Sequence, residues 1–225
     1  KKQSFGSLHE CFTRELLPGS RTVDADAAVL CSPCDAIVGA YGQVVDGMVM
    51  QAKGFPYSVA ELSGPSQDTS DFKDGCFVTL RLTSAMYHRF HAPFDGHLHR
   101  VDYLNGDTWN VNPIALQRVE KLFCKNERAV LHMRTADDHP IALVPVAAIL
   151  VASIRLHAID TLLHTRYKGP HRFDSVHGFV KGQEMGWFQH GSTILVFVPK
   201  GFKLAEGIAT GQRIKMGQAL LEKLA

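Results

Sequence analysis

Three short segments of the sequence carry side chains that could act together on a carbonyl group. Asp35 stands at a predicted turn, His88 and His91 lie in one segment after a predicted strand, and Ser192 follows Gly191 directly before an apolar run. A carboxylate, a histidine and a hydroxyl are the orienter, base and nucleophile of nucleophilic catalysis. Taken singly, Asp35 is equally typical of a turn and the histidines of hydrogen-bonded polar residues, so their meeting in space is a hypothesis.

The apolar run after Ser192 predicts a buried strand. Residues 193–198 are β-branched, aromatic or aliphatic and would be apolar on both faces of a strand. Gly191 gives the backbone the freedom to adopt a strained conformation beside a reactive hydroxyl. We therefore predict a polar approach that ends at a serine, followed at once by a core strand.

The framework around these segments is predicted to be mainly β, of the α+β class, with the form of a sandwich or barrel and a few short helices. The sequence Ser7-x-x-Glu10 predicts the start of a helix that Pro18-Gly19 ends. Asp46-Gly47 and Asn105-Gly106 predict hairpins. Short strands are predicted within residues 27–51, 76–83, 96–104, 108–111, 129–134, 141–154, 178–181 and 193–198.

Composition excludes several classes of protein. A formal net charge of +2 over 225 residues leaves no basic stripe for nucleic acid. Five cysteines are an odd number and indicate free thiols in a reducing compartment, and Cys31-x-x-Cys34 has no second pair that would complete a metal site. The longest apolar run, residues 141–152, is broken by Pro145 and is too short for a transmembrane helix.

Two further expectations concern regions without regular structure and the start of the chain. Residues 165–176 are polar and interrupted by Gly and Pro, which predicts a mobile loop. The chain begins at Lys1, without Met, and we expect a targeting or anchoring segment to precede it in the full protein.

Several segments resemble, in the same order, those of the phosphatidylserine decarboxylases. SFGSLHECFTREL, SPCDA, QAKGFPYSVAELSG, YHRFHAP, CKNERAV and KGQEMGWFQHGST are similar to the motifs of the bacterial-type catalytic domain. Three residues depart from the pattern: Ala36 follows the aspartate where Gly is usual, Met86 precedes the tyrosine where Asp is common, and His190 replaces Leu in LGST. None of the three removes a group that the family's chemistry needs.

The resemblance implies one catalytic domain, residues 1–225, that cleaves itself between Gly191 and Ser192. Asp35, His91 and Ser192 would form the self-cleavage triad, and Ser192 would become a pyruvoyl group, the cofactor. His88 would serve the later decarboxylation of phosphatidylserine to phosphatidylethanolamine and CO2, with no metal.

The resemblance also implies partners and a location. Cleavage would give a β chain, residues 1–191, and an α chain, residues 192–225, in one αβ heterodimer, with further dimerisation as an alternative. The substrate would be met at a membrane surface, either peripherally or through a segment absent from this sequence. We expect a cell or inner membrane that faces a reducing compartment, and no nucleic-acid partner.

Three alternatives remain open on the sequence. The same chemistry could act on a free amino acid such as tryptophan, since it needs only an α-amino acid. A family member that does not process could merely bind lipid. A zinc hydrolase could use His91, Asp95, His97 and His99, although one residue separates the two motifs and Asp95-Gly96 is typical of a turn.

Overall fold

The computed structural model describes residues 4–50, 55–64, 68–149, 153–189 and 192–224. It is mainly β, as predicted, with short helices between the strands. The strands are β1 (Val29–Cys31), β2 (Ala36–Gln43), β3 (Met48–Met50), β4 (Pro56–Ser58), β5 (Cys76–Leu82), β6 (Arg89–His91), β7 (Gly96–Leu104), β8 (Arg128–Thr135), β9 (Pro140–Ala147), β10 (Ser153–Leu156), β11 (Thr161–His164), β12 (Arg172–Phe179), β13 (Glu184–Phe188), β14 (Ser192–Val198), β15 (Phe202–Leu204), β16 (Arg213–Ile214) and β17 (Ala219–Lys223). The helices are α1 (Leu8–Phe12), α2 (Val59–Ser63), α3 (Pro113–Arg118) and α4 (Leu122–Lys125), with one 3₁₀ turn at Ser70–Phe72.

An eight-stranded antiparallel sheet, in the order β12-β7-β8-β9-β14-β5-β2-β16, is the centre of the fold. Strand β14 lies inside it, hydrogen-bonded to β9 on one side and β5 on the other, and all of its residues are buried. The predicted core strand is therefore confirmed. A four-stranded sheet, β11-β10-β13-β6, a three-stranded sheet, β1-β17-β15, and the β3-β4 hairpin complete the architecture.

The central sheet is buried on both faces because alternate side chains of its strands enter two separate cores. Ile194 belongs to the first core, with Phe90 and Phe188 of the four-stranded sheet. Leu195 belongs to the second, with side chains from α2 and α4 such as Leu62. Among the described residues, no helix has the length and apolar character that a transmembrane span requires.

Local signals in the sequence predicted some elements correctly. The Ser7 hydroxyl accepts from the Glu10 N–H and caps α1, but the helix ends at Phe12 instead of continuing to Pro18. Asp46 and Gly47 turn the chain at φ 50° and 75°, and Val45 pairs with Met48, which confirms that hairpin.

Other local predictions were wrong. Asn105-Gly106 does not join two strands; a Cβ at Gly106 would lie 2.3 Å from the Lys125 carbonyl oxygen, so this glycine permits a close approach of two backbones. Residues 108–111 contain no strand, and two short helices, α3 and α4, follow instead. The predicted loop at residues 165–176 overlaps β12, which begins at Arg172 and pairs with β7.

Candidate active site

Ser192 is the first residue of β14. It is completely buried, pairs with Leu82 on one side and Ala147 on the other, and its Oγ has no hydrogen-bond partner within the described part of the chain. A buried hydroxyl is normally hydrogen-bonded, and among the described residues Thr79 and Thr193 share the lack of a partner with Ser192. The place of Ser192 at the predicted cleavage site distinguishes it from these two. Gly191, the other half of the predicted cleavage site, and His190 lie outside the described residues.

His91 ends β6 and is held through both ring nitrogens. Its Nδ1 lies 2.8 Å from the Gly182 carbonyl oxygen, and its Nε2 lies 2.9 Å from the Tyr87 hydroxyl. Because a carbonyl can only accept, Nδ1 carries the proton and Nε2 keeps its lone pair. Burial lowers the pKa of His91, which favours the neutral ring that a general base needs.

Gly182 explains how that carbonyl reaches the imidazole. Its φ of 83° lies in the left-handed region, and a Cβ there would meet Val23 at 2.8 Å. A glycine is therefore required where the backbone carbonyl of the KGQEMG segment turns toward His91.

Asp35 directly precedes β2 and is bound mainly by Arg21. The Arg21 guanidinium contacts both carboxylate oxygens, and the Met216 N–H donates to Oδ1 at 3.0 Å. The segments of Asp35 and His91 are neighbours, since the His91 N–H donates to the Pro33 carbonyl at 2.8 Å. The carboxylate acts on His91 only through its charge, which raises the pKa of the imidazole by less than burial lowers it.

The register of the central sheet relates Asp35 to Ser192. Arg81 of β5 pairs with Ile37 on one side and with Thr193 on the other. Asp35 and Ser192 therefore lie at the same end of the sheet, on strands about 10 Å apart, which is two strand spacings.

His88 is completely buried beside the strand end that leads to Ser192. Its Nδ1 donates to the Met86 carbonyl at 2.9 Å, and its own carbonyl accepts from the Phe188 N–H at 2.9 Å. Phe188 is the last residue of β13, four positions before Ser192. Of the two histidines, His88 is thus the one whose backbone adjoins the approach to the predicted cleavage site.

A cavity of about 1150 Å³ opens beside Asp35 and Tyr87. Its lining from the N-terminal segment includes Phe5, Leu16 and Leu17, and its cationic side chains are Arg14, Arg21, Arg89, Arg213 and Lys215. Arg89 fixes one wall, because it pairs with Glu184 at 2.9 Å and binds the Thr13 carbonyl of the N-terminal segment. The lining also includes the carboxylates Glu10, Glu15 and Asp35, so the cavity combines apolar and charged surface. Of the predicted site residues, Asp35 lines it, whereas His88, His91 and Ser192 do not.

Two residues of the zinc alternative, His91 and Asp95, have other hydrogen-bond partners. Both nitrogens of His91 are hydrogen-bonded, and Asp95 accepts from the Lys181 N–H at 2.7 Å. His99 lies beside His132, with ring centroids 6.0 Å apart. Across the described ranges, no group of three or more His, Cys, Asp or Glu side chains is arranged to hold a metal ion.

Three partners of the predicted residues were not predicted from the sequence. Tyr87 and Gly182, which fix His91, lie inside the YHRFHAP and KGQEMG segments, so their position beside the histidine motif was the available signal. Arg21, the partner of Asp35, lies in a stretch that no motif covers.

Comparisons with known proteins agree with the motifs. A family model described as phosphatidylserine decarboxylase matches residues 8–222. The chain is 34% identical over 226 residues to a phosphatidylserine decarboxylase proenzyme of Brevibacillus brevis, which covers 98% of this chain and 80% of the relative. It is 37% identical over 221 residues to the proenzyme of Vibrio vulnificus, covering 95% and 77%. The proenzyme of Pseudoalteromonas translucida is 38% identical over 199 residues, covering 85% and 69%.

Proposed function

Because the chain belongs to the phosphatidylserine decarboxylase family, we propose that it is a proenzyme that cleaves itself before Ser192 and then converts phosphatidylserine to phosphatidylethanolamine and CO2. The observation that carries the proposal is the buried, unpaired Ser192 hydroxyl at the head of the central strand, where the family's GST motif falls. Among the residues that the structure describes, this hydroxyl has no hydrogen bond that its reaction would break.

Self-cleavage uses only groups of the chain. Ser192 Oγ loses its proton to a base and attacks the Gly191 carbonyl carbon, so that the acyl group moves from nitrogen to oxygen. Loss of the Cα proton then breaks the Cβ–Oγ bond and releases Gly191 as a carboxylate. Hydrolysis of the resulting enamine releases ammonia and leaves a ketone at residue 192.

His91 is the proposed base and Asp35 the residue that supports it. The Nε2 lone pair of His91 is available once the Tyr87 hydroxyl releases it, while the Gly182 carbonyl holds Nδ1–H in the tautomer that a base requires. Asp35 supplies a negative charge that stabilises the imidazolium, and Arg21 keeps that carboxylate in place.

The residues around position 192 fit a pyruvoyl group. Its neighbours across the sheet are Leu82 and Ala147. The Ser192 Oγ, which has no hydrogen-bond partner among the described residues, is the side-chain atom that the conversion removes. When present, the group supplies a carbonyl for the substrate amine and an electron sink for the bond to CO2. His88 is proposed to deliver the proton to the substrate Cα after CO2 leaves.

The cavity supports a lipid substrate over a free amino acid such as tryptophan. A volume of about 1150 Å³ exceeds the needs of one amino acid, and Arg213 and Lys215 in its lining suit the phosphate of a phospholipid. Leu17, which lines the cavity, and Leu8 of α1 are exposed by 62% and 75% and favour contact with a membrane surface. Location at a membrane that faces a reducing compartment stays a prediction, which the five free cysteines support.

Replacement of Ser192 tests the proposed function most directly. Ser192→Ala should give a single uncleaved chain without decarboxylase activity, because no hydroxyl remains to accept the acyl group. A denaturing gel with intact mass measures cleavage. Thr79→Val is the matched control, since it removes another buried, unpaired hydroxyl of the same sheet and should leave cleavage normal. Cleavage of Ser192→Ala would refute self-processing.

Replacement of the histidines separates processing from decarboxylation. His91→Ala should remain largely uncleaved, whereas His88→Ala should cleave and yet decarboxylate about a hundredfold more slowly, because a general acid is lost. Cleavage is measured by mass and decarboxylation by CO2 release from labelled phosphatidylserine. Normal turnover by cleaved His88→Ala would remove His88 from the reaction, and failure to cleave would place it in processing.

A further inference from the structure

A row of side chains on the central sheet joins Ser192 to a buried glutamate. Ser192 pairs with Ala147, and the Ala147 N–H donates to the Glu127 carbonyl at 2.8 Å. Residues directly opposite each other on neighbouring strands share a face, with Cβ atoms about 5 Å apart. The Glu127 and Ser192 side chains therefore lie on the same face, about 10 Å apart at Cβ, with the methyl group of Ala147 between them in the row.

This face is the one that enters the first core. Ala147 is part of the row, and Ala129 and Ile194 each lie two positions after a member of it, so their side chains are on the same face. All three belong to the first core. Arg128, the residue after Glu127, points to the opposite face, where its guanidinium is bound by backbone carbonyls, including that of Leu62 at 2.6 Å. Glu127 therefore has no ion pair with the arginine that follows it in the sequence.

Glu127 is completely buried, and one of its two carboxyl oxygens is hydrogen-bonded. The Tyr103 hydroxyl lies 2.7 Å from Oε1, while Oε2 is buried without a hydrogen-bond partner among the residues that the structure describes. Burial raises the pKa of Glu127 to about 7, and the bond from Tyr103 offsets part of that effect. A carboxyl with such a pKa exchanges its proton near neutral pH.

Tyr103 can serve Glu127 in both of its protonation states. Its hydroxyl has one proton and two acceptors within reach, Glu127 Oε1 and the His164 carbonyl at 2.9 Å. When Glu127 is ionised, the hydroxyl donates to the carboxylate; when Glu127 is protonated, the hydroxyl accepts from it and donates to His164. Proton exchange therefore requires no movement of a heavy atom.

Two atoms of this row lack a hydrogen-bond partner in the described ranges, Ser192 Oγ and Glu127 Oε2. Both side chains lie on the face of the central sheet that enters the first core. Buried polar atoms are rarely left unpaired, and two of them in one row indicate a site for a polar ligand.

We propose that Glu127 is a catalytic residue that accepts a proton from the ammonium group of the substrate beside residue 192. This inference rests on the proposed function. The carboxylate takes one proton and becomes a carboxylic acid, and the ammonium becomes a neutral amine whose lone pair can attack a carbonyl. Glu127 returns the proton to the amine of the product, which restores the carboxylate.

Glu127→Gln tests the proposal because the amide keeps the shape and still accepts from Tyr103 but cannot take up a proton. The variant should cleave normally on a denaturing gel, yet release CO2 from phosphatidylserine about a hundredfold more slowly. Glu222→Gln, on β17, is the matched control and should be fully active. Infrared difference spectra should show a carboxylic acid that titrates near pH 7 in the unaltered protein and is missing from Glu127→Gln.

Tyr103→Phe provides a second, independent measurement. Loss of the donor that lowers the pKa of Glu127 should raise that pKa, so the acid limb of the kcat/KM profile should move to higher pH while cleavage persists. An unchanged profile, or near-normal CO2 release by cleaved Glu127→Gln, would overturn the proposal. If Glu127→Gln fails to fold, the Tyr103→Phe profile decides. An unaltered protein that neither cleaves nor decarboxylates would instead defeat the proposed function.

Discussion

Two buried carboxyl groups on neighbouring strands behave in opposite ways. Asp102 of β7 is bound by Arg100, Arg172 and His132 at 2.8–2.9 Å. Although burial acts in the other direction, these partners lower the pKa of Asp102 to about 2. The side chain of Glu127, just before β8, has one partner within the described ranges, the neutral Tyr103 hydroxyl, and burial raises its pKa to about 7.

The comparison shows that partners, more than burial, determine the charge of a carboxyl in this sheet. Asp102 pairs with Val130, whose side chain enters the second core, whereas Glu127 shares a face with Ser192 and the first core. Asp102 is ionised at neutral pH and joins β7, β8 and β12. Glu127 is left able to titrate, on the face where the proposed chemistry takes place.

The largest effect should be the pH dependence of stability that Glu127 causes. Between its unfolded pKa of 4.5 and its folded pKa of about 7, the folded state binds more protons, so stability falls as pH rises. The loss should be about 3 kcal/mol between pH 4.5 and pH 8. Glu127→Gln should lack this slope. Urea unfolding as a function of pH measures this slope in two uncleaved proteins, Ser192→Ala and Ser192→Ala with Glu127→Gln. Parallel pH curves for the two proteins would contradict the comparison.

Asp102→Asn should have the next largest effect, in the opposite pH range. It should lower the free energy of unfolding by about 2 kcal/mol at pH 7, because Arg100 and Arg172 lose their counter-charge and His132 loses a hydrogen-bond partner. The pKa of Asp102 is depressed, so its contribution is present above its unfolded value of 3.8 and is lost as pH falls toward 2. Variant and parent should therefore converge in acid. Asp71→Asn, at an exposed position, is the control and should change little.

His132→Phe should have the smallest effect. It removes one hydrogen bond to Asp102 but leaves Arg100 and Arg172 in place, so a loss of about 1 kcal/mol is expected at pH 7. Denaturant unfolding beside Asp102→Asn provides the measure. A loss as large as that of Asp102→Asn would mean that the histidine, and not the arginines, keeps Asp102 ionised.

Much of the fold followed from local patterns in the sequence. The mainly β class, the buried strand that begins at Ser192, the Ser7 cap and the Asp46-Gly47 hairpin were all predicted. Predictions failed where long-range contacts overrode local preference. A glycine is needed at position 106 because its backbone lies close to the Lys125 carbonyl. The polar segment that begins at Arg172 becomes a strand because it pairs with β7.

The residues of the candidate site were easier to predict from the sequence than the contacts between them. Asp35, His88, His91 and Ser192 could be named from motifs, and their roles stay predictions. The partners Tyr87, Gly182 and Arg21 could not, since each contact spans separate elements. Glu127 stood in a segment that resembled the family, but its relation to Ser192 depends on the register of β8, β9 and β14, which no local pattern encodes.

The position of Ser192 determines how firmly the two proposed cleavage products stay associated. The proposed cut would make this residue the first of a separate chain, yet that chain supplies β14 at the middle of the central sheet and β17 at the middle of the three-stranded one. Strand β14 cannot leave without breaking hydrogen bonds on both sides, and β17 cannot leave without breaking those to β1. The two pieces should therefore behave as one body in native solution. Assembly before the cut is intramolecular, but reassembly after denaturation would be a bimolecular encounter that slows on dilution.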